Sequence, residues 1–285
     1  MLMNKKKSFI IRHRFLLVSL LCLFGVCVVA QVKPAAGQQK KVEKKSDDSA
    51  KNKKGTAKKK PVDKRKRVDL LHADEAQADK LLRPDVQVLI GSVKLRHDSM
   101  YMYCDSALIY EKTNSVEAFS NVRMEQGDTL FIYGDYLNYN GETQLAMLRE
   151  NVKLINRKTI LTTDSLNYDR LYNLGYYFEG GTLTDEENIL TSDWGEYSPA
   201  TKIAVFNHEV KLANPRFTLY SDTLKYSTDS KIATILGPSN IVNEKNHIYS
   251  ERGFYNTAKD QAQLLDRSVL TNEGKKLVAD SLFYD

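Results

Sequence analysis

The chain has 285 residues, 42 of them Lys or Arg, 36 Asp or Glu and 5 His, for a formal net charge of +6. Residues 1–67 hold 20 basic and 4 acidic side chains, net +16, which leaves 22 basic and 32 acidic groups and a net of −10 for residues 68–285. An acidic body with a basic tail argues against a nucleic-acid-binding fold, which needs positive charge on the folded part; its single cysteine, Cys104, excludes an intramolecular disulfide or a cysteine-built metal site there.

The N-terminus reads as a targeting segment. Lys5, Lys6, Lys7, Arg12 and Arg14 precede an apolar run from Phe15 to Ala30 that ends Val28-Val29-Ala30. That layout predicts a signal peptide over residues 1–30, cleaved after Ala30, and an exported, periplasmic body with possible outer-membrane association. The alternative is an uncleaved anchor, although the run spans roughly 24 Å against a hydrocarbon core of about 30 Å. Residues 31–67 contain no aromatic side chain. Such a stretch cannot bury enough surface to offset its ordering entropy, so it reads as a disordered Lys-rich linker. Its charge suits contact with an anionic membrane surface, and equally a solvated spacer.

Residues 68–285 form one repeat domain. Tyr recurs at 110, 139, 168, 197, 226, 255 and 284, always 29 residues apart, and a fixed period of this size signals a repeat architecture. Each Tyr closes a unit such as Gly-Asp-Tyr-Leu-Asn-Tyr (134–139), Thr-Asp-Ser-Leu-Asn-Tyr (163–168) or Ser-Asp-Thr-Leu-Lys-Tyr (221–226). The first copy, Cys-Asp-Ser-Ala-Leu-Ile-Tyr (104–110), carries one extra residue, which predicts a β-bulge between Asp105 and Tyr110. A degenerate copy at 73–78, with Ala for the aromatic, reads as an end cap.

Within each unit the apolar period is two, the strand period: Ile160, Thr162, Asp164, Leu166 and Tyr168 share one face. A small-residue column follows seven positions after the Tyr at Ala146, Gly175, Ala204, Ala233 and Ala262, with turn-formers such as Asn140-Gly141 between. Runs of about 18 extended residues exceed the usual strand, so they must bend and feed two facing sheets. In a parallel helix the Asp column (135, 164, 193, 222) would stack every ~4.8 Å, each pair repelling by about 3.5 kcal/mol at an effective dielectric of 20; antiparallel pairing doubles the spacing and halves the cost. The prediction is an all-β, antiparallel, folded sheet repeated every 29 residues.

Catalytic and metal-binding signatures are absent. The five His stand at 13, 72, 97, 208 and 247, none at ligand spacing from another. There is no Gly-x-Ser-x-Gly elbow and no Gly-rich phosphate loop. The Asp column reads as a corner position rather than a catalytic pair, and the Tyr column as a half-buried wall whose hydroxyls reach water. Gly195 and Gly253 replace the usual Leu, giving a ligand room or marking bends.

Gly91-Ser92-Val93-Lys94-Leu95, Asn151-Val152-Lys153-Leu154 and the Asp-x-Leu-x-Tyr units at 135–139, 164–168 and 222–226 together resemble the OstA-like N-terminal domain. This is the family of the periplasmic lipopolysaccharide-transport proteins, and the match is most similar to the OstA-like proteins of the Bacteroidetes. The resemblance covers about residues 68–285. It implies a β-jellyroll folded like a taco, with no enzyme activity and no cofactor or metal. It also implies an apolar trough for lipid A acyl chains, and partners of the same fold joined end to end by strand pairing. Lining residues would come from the inward ladder: Leu137, Tyr139, Leu166, Tyr168, Tyr197, Leu224, Tyr226, Tyr255 and Leu282. The rival reading is a structural or adhesive β-solenoid with a packed core and no ligand. Open space on the inner face would favour the first reading, and continuous filling the second.

Overall fold

The computed structural model describes residues 66–79, 81 and 83–284. Every described residue belongs to one compact unit within Lys60–Asp285. The expected signal peptide and all of the linker up to residue 65 lie outside the described residues.

The described residues form twenty strands. The first are β1 (Asp69–His72), β2 (Glu75–Ala78), β3 (Val86–His97), β4 (Met100–Tyr110), β5 (Ser115–Gln126), β6 (Leu130–Asn140), β7 (Leu145–Asn156) and β8 (Thr159–Asp169). Shorter ones follow: β9 (Leu174–Tyr177), β10 (Gly181–Asp185), β11 (Asn188–Ser192) and β12 (Trp194–Ser198). The series ends with β13 (Ile203–Asn214), β14 (Phe217–Ser227), β15 (Ile232–Ile235), β16 (Ser239–Val242), β17 (Asn246–Ser250), β18 (Arg252–Asn256), β19 (Gln261–Asn272) and β20 (Lys275–Tyr284). Every pairing is antiparallel, so the predicted topology holds.

The long strands bend, and the bend makes two walls. In β6, residues 136–140 pair with 115–119 and 145–149, whereas residues 130–133 pair with 123–126 and 153–156. Between the two stretches the register breaks, and two consecutive residues on alternate strands take positive φ. These are Ser120 and Asn121 (60° and 52°), Glu150 and Asn151 (63° and 52°), and His208 and Glu209 (61° and 51°). Such left-handed positions cost about 1–2 kcal/mol each for residues with a Cβ. At two corners an asparagine bond offsets part of that cost: Asn121 Nδ2 donates to Asp105 Oδ2 at 2.7 Å, and Asn151 Nδ2 to Asp135 Oδ2 at 2.6 Å; at a further corner, where Asp266 and Arg267 take 58° and 51°, Arg267 Nη1 donates to Glu251 Oε1 at 3.3 Å. The Asp column is thus a corner column, although Asp105 and Asp135 take a side-chain amide rather than the local backbone N–H groups.

Period-two alternation then turns one face of each wall inward. The tyrosine wall contributes Leu137, Tyr139, Ala146 and Leu148, and the opposite wall Ile132, Val152 and Leu154, to one continuous core. The small column explains itself by register. Tyr139 pairs with Ala146, Ala146 with Tyr168, Tyr168 with Gly175 and Gly175 with Tyr197. The row continues through Ala204, Tyr226, Ala233, Tyr255 and Ala262 to Tyr284. Large and small side chains alternate across adjacent strands, so each ring fills the space its two neighbours leave.

The first repeat needs a correction. No bulge separates Asp105 from Tyr110: residues 106–110 pair without a break to both neighbours. Ile109, 8 % exposed, occupies the inward row, and Tyr110 faces out. The first spacing is therefore 30 residues, and a chance Tyr one position late disguised it. The degenerate copy at 73–78 does form the cap. Asp74 stands at the corner, its backbone N–H donating to Gly91 O at 2.9 Å, and the exposed β2 pairs with β3.

Candidate functional site

All nine residues expected to line the trough point inward, and their exposure runs from 0 to 6 %. They are brought together in one core, but no furrow stands open to solvent along them. A hollow among Met100, Met124, Leu130, Ile132 and Tyr168 has no room for a water molecule. The half-burial expected of the tyrosines is also corrected. Tyr139, Tyr168, Tyr197, Tyr226 and Tyr255 are fully buried, because their hydroxyls find partners inside the protein.

The room expected at Gly195 is filled as well. Gly195 pairs with Tyr177, and a Cβ built on Gly195 would lie 2.4 Å from the Tyr177 hydroxyl. Gly181 presses the same ring from another side, at 2.6 Å. One aromatic side chain thus uses the volume released by two glycines, and its hydroxyl lies 2.8 Å from Ser192 Oγ. Burial pushes the Tyr177 phenol up to about 12.

The hydroxyl partners define the most informative part of the molecule. Opposite the bent corners, the two walls end in hairpin turns, and polar side chains join these lips. Tyr139 OH lies 2.6 Å from His97 Nδ1 and accepts from Arg170 Nη1 at 2.9 Å. Tyr168 OH donates to Asn173, which also accepts from Gln126 across the seam at 3.2 Å. Asn156 Nδ2 donates to Tyr197 OH at 3.1 Å, and Asn243 Nδ2 to Tyr284 OH at 3.2 Å. The densest crossing is at Asp185. Its Oδ2 accepts from Tyr226 OH at 2.8 Å and from Lys231 Nζ at 2.7 Å, while Asn188 Nδ2 donates to Tyr226 OH at 2.9 Å. Tyr255, like Tyr168, donates to a side chain in the turn of its own wall, Asp260.

Sequence reasoning missed the far side of this seam, although a signal was present. Asn156, Asp185, Asn214, Asn243 and Asn272 form a polar column with the same 29-residue spacing. A polar residue held at one strand end in repeat after repeat, inside an otherwise apolar face, asks for a buried partner.

Electrostatics are concentrated at the first crossing. His97 is buried, and desolvation followed by the nearby Arg170 guanidinium holds its pKa below the ordinary histidine range. Arg170 donates to the Tyr139 oxygen, and the neutral ring that this surrounding favours can accept the Tyr139 proton at Nδ1. His97 Nε2, Arg170 Nε and Gln126 Oε1 are buried without a protein partner, and all three belong to this stretch of the seam. The sign of the pH dependence follows. Below the unfolded-state histidine pKa the unfolded chain binds a proton that the native state refuses, so stability falls as pH falls. Urea unfolding at pH 7 and pH 5 should give a larger loss for the wild type than for His97→Gln, which keeps an acceptor for Tyr139. Equal losses would remove His97 as the cause.

Chemically, the arrangement holds two walls together and encloses an apolar volume. Among the described residues no group of three or more His, Cys, Asp or Glu could hold a metal. Cys104 is buried and burial pushes its thiol up to about 11, which makes it a poor nucleophile.

Comparison with known proteins adds the following. Among curated proteins no match is found. One solved structure with a likeness is LptH of Pseudomonas aeruginosa, described as the LptA-homologous periplasmic component of the lipopolysaccharide transport device. It is 14 % identical, with 48 % of this chain and 81 % of that chain covered and a TM-score of 0.23, too low to bear on this chain. The model of the OstA-like protein family matches residues 65–222 and 217–280, spanning nearly all of the described strands and most of the chain. The chain, built of folded antiparallel repeats, belongs to the OstA-like protein family.

Proposed function

We propose that this protein is a non-catalytic periplasmic carrier in lipopolysaccharide transport, a bridge that contributes to outer-membrane assembly. One observation carries the reading: the interior is apolar from repeat to repeat, continuous backbone closes it at the corners, and side chains close the seam, polar pairs at most crossings and the packed rings of Phe217 and Tyr255 at another. Acyl chains enter when the lips part. Leu137, Leu166, Leu224, Leu282 and the tyrosines of the row then become the lining. Family membership supports the reading. Strand pairing with a second protein of the same fold belongs to the same reading. The basic stretch 31–67 suits an anionic membrane surface, and residues 1–30 suit export.

The test is photocrosslinking to lipopolysaccharide from inward positions 166 and 224, with outward positions 167 and 225 as controls. Adducts from the inward pair alone support the carrier. Their absence at every inward position overturns it and leaves the second reading, a ligand-free structural β-solenoid, which the filled interior favours.

A further inference from the structure

Outside the core, one corner departs from the others. A cavity of about 550 Å³ opens on the outer surface where β3 to β7 bend. Its walls include Tyr103, Arg123 and Tyr133, and its rim carries the pairs Asp105–Asn121 and Asp135–Asn151. Register places the first three in a longer row across adjacent strands: Lys94, Tyr103, Arg123, Tyr133, Lys153. Cations alternate with phenol rings, and the row spans about 19 Å at ~4.8 Å per strand. Arg123 Cζ lies 4.3 Å from the Tyr103 ring centroid, and Lys94 Nζ lies 5.4 Å from the same centroid. Both rings are partly exposed.

The repeat provides its own control. On the next strands the same row continues as Thr162, Thr182 and Thr191, so the fold requires neither the rings nor the cations. The corner position itself changes in parallel. Thr163, Ser192, Ser221 and Ser250 donate their hydroxyls to corner carbonyls at 2.7–2.9 Å, whereas Cys104 and Gly134 stand in those places here. The hollow, the aromatic pair and the Asp–Asn rims occur together.

We propose that this corner binds an anionic oligosaccharide. The C–H faces of pyranose rings pack on Tyr103 and Tyr133, which supply rigid apolar area with a polar tip. Asp105, Asp135 and their asparagine partners exchange hydrogen bonds with sugar hydroxyls, a carboxylate having about four acceptor sites, of which the amide takes one. Carboxylate or phosphate groups on the sugar pair with Arg123, whose Nη1 also lies 3.2 Å from Glu125 Oε1 and whose remaining donors face the ligand, flanked by Lys94 and Lys153. The length of the row selects a chain of several sugars over a monosaccharide. The site is on the outer surface, so it does not rest on the lipid reading.

The experiment is calorimetric titration of the full chain with four probes: an oligogalacturonate tetramer, a heparin-derived tetrasaccharide, neutral maltotetraose and inorganic phosphate. At least one anionic tetrasaccharide should bind, at least tenfold tighter than maltotetraose, with phosphate alone undetectable. Tyr103→Thr with Tyr133→Thr installs the residue that other repeats carry, and Arg123→Thr does the same for the cation. Each should weaken binding at least tenfold while leaving the melting temperature within a few degrees, and Tyr220→Thr, in a separate stretch of the row, should leave binding unchanged. Failure of both anionic sugars to bind, binding indifferent to these variants, or phosphate binding as tightly as the sugars would each overturn the assignment.

Discussion

Replacing Gly195 with Leu should destabilise the domain by about 3 kcal/mol, and Tyr177→Leu by a similar amount, yet the two together should cost little. The single changes fail for opposite reasons. Leu at 195 drives a side chain into the Tyr177 ring, which already lies 2.4 Å from the nearest possible Cβ, and overpacking a tight core typically costs about 1–3 kcal/mol. Leu at 177 leaves part of the ring's volume empty beside Gly195 and Gly181, and deletion of buried atoms adds a cavity cost to the lost transfer energy. The double variant recreates the pairing of the neighbouring repeat, where Leu148 lies opposite both Leu137 and Leu166. Urea unfolding of the four proteins closes the cycle, and a coupling energy of about 3 kcal/mol or more is expected between residues in such direct contact. Additive losses would show that the glycine serves something other than the ring.

The same pair shows where the sequence was legible. Two columns, Tyr and Ala or Gly, could be read from a 29-residue period, and antiparallel pairing followed from the repulsion of a stacked Asp column. Bending could be read from strand length. What could not be read was which members of the two columns face one another, because the four-residue turns that decide it use ordinary polar residues. Asn140 shows the device: its Oδ1 accepts from the backbone N–H groups of Glu142 and Thr143, as Asp169 does from Leu171 and Tyr172. Tyr110 was misassigned for a related reason. Counting aromatics cannot see that one residue more separates the first corner from the second, and Ile109 fills the row as well as a ring would.

The seam was the larger omission. A tyrosine in a strand pattern announces burial of its ring but not the destination of its hydroxyl. For Tyr139, Tyr197, Tyr226 and Tyr284 the partners lie 41 or 42 residues away, on the other wall. A half-exposed phenol is the default when no partner is in sight, since a buried hydroxyl without a hydrogen bond costs about 1–3 kcal/mol. The polar column at Asn156, Asp185 and Asn243 removes that cost, and so turns a wall open to water into one closed by a row of bonds.

Asp185→Ala should be the most damaging single change on that seam, at about 3–5 kcal/mol. The carboxylate side chain is 2 % exposed and its partner Lys231 20 % exposed, so neither is screened by bulk water. Removing the acid leaves the ammonium only Glu186, 3.5 Å away and far more exposed, and takes the acceptor from Tyr226, whose phenol burial and this carboxylate together hold well above the ordinary range. Breaking a buried pair by deleting one member is costly because the remaining charge loses its buried partner. Lys231→Met alone leaves the carboxylate with Tyr226 and Thr159 and should also destabilise. Asp185→Leu combined with Lys231→Met should recover most of the loss, since apolar replacement of a buried ion pair is often neutral or better. Urea midpoints of the wild type and the three variants measure this. The same proteins probe the carrier: if the seam is the entry, Asp185→Ala held under folding conditions should raise the yield of lipopolysaccharide adducts from position 224, immediately behind the broken bond, more than from position 166. A change in stability with no change in that ratio would mean that the bonds hold the walls together without guarding a way in.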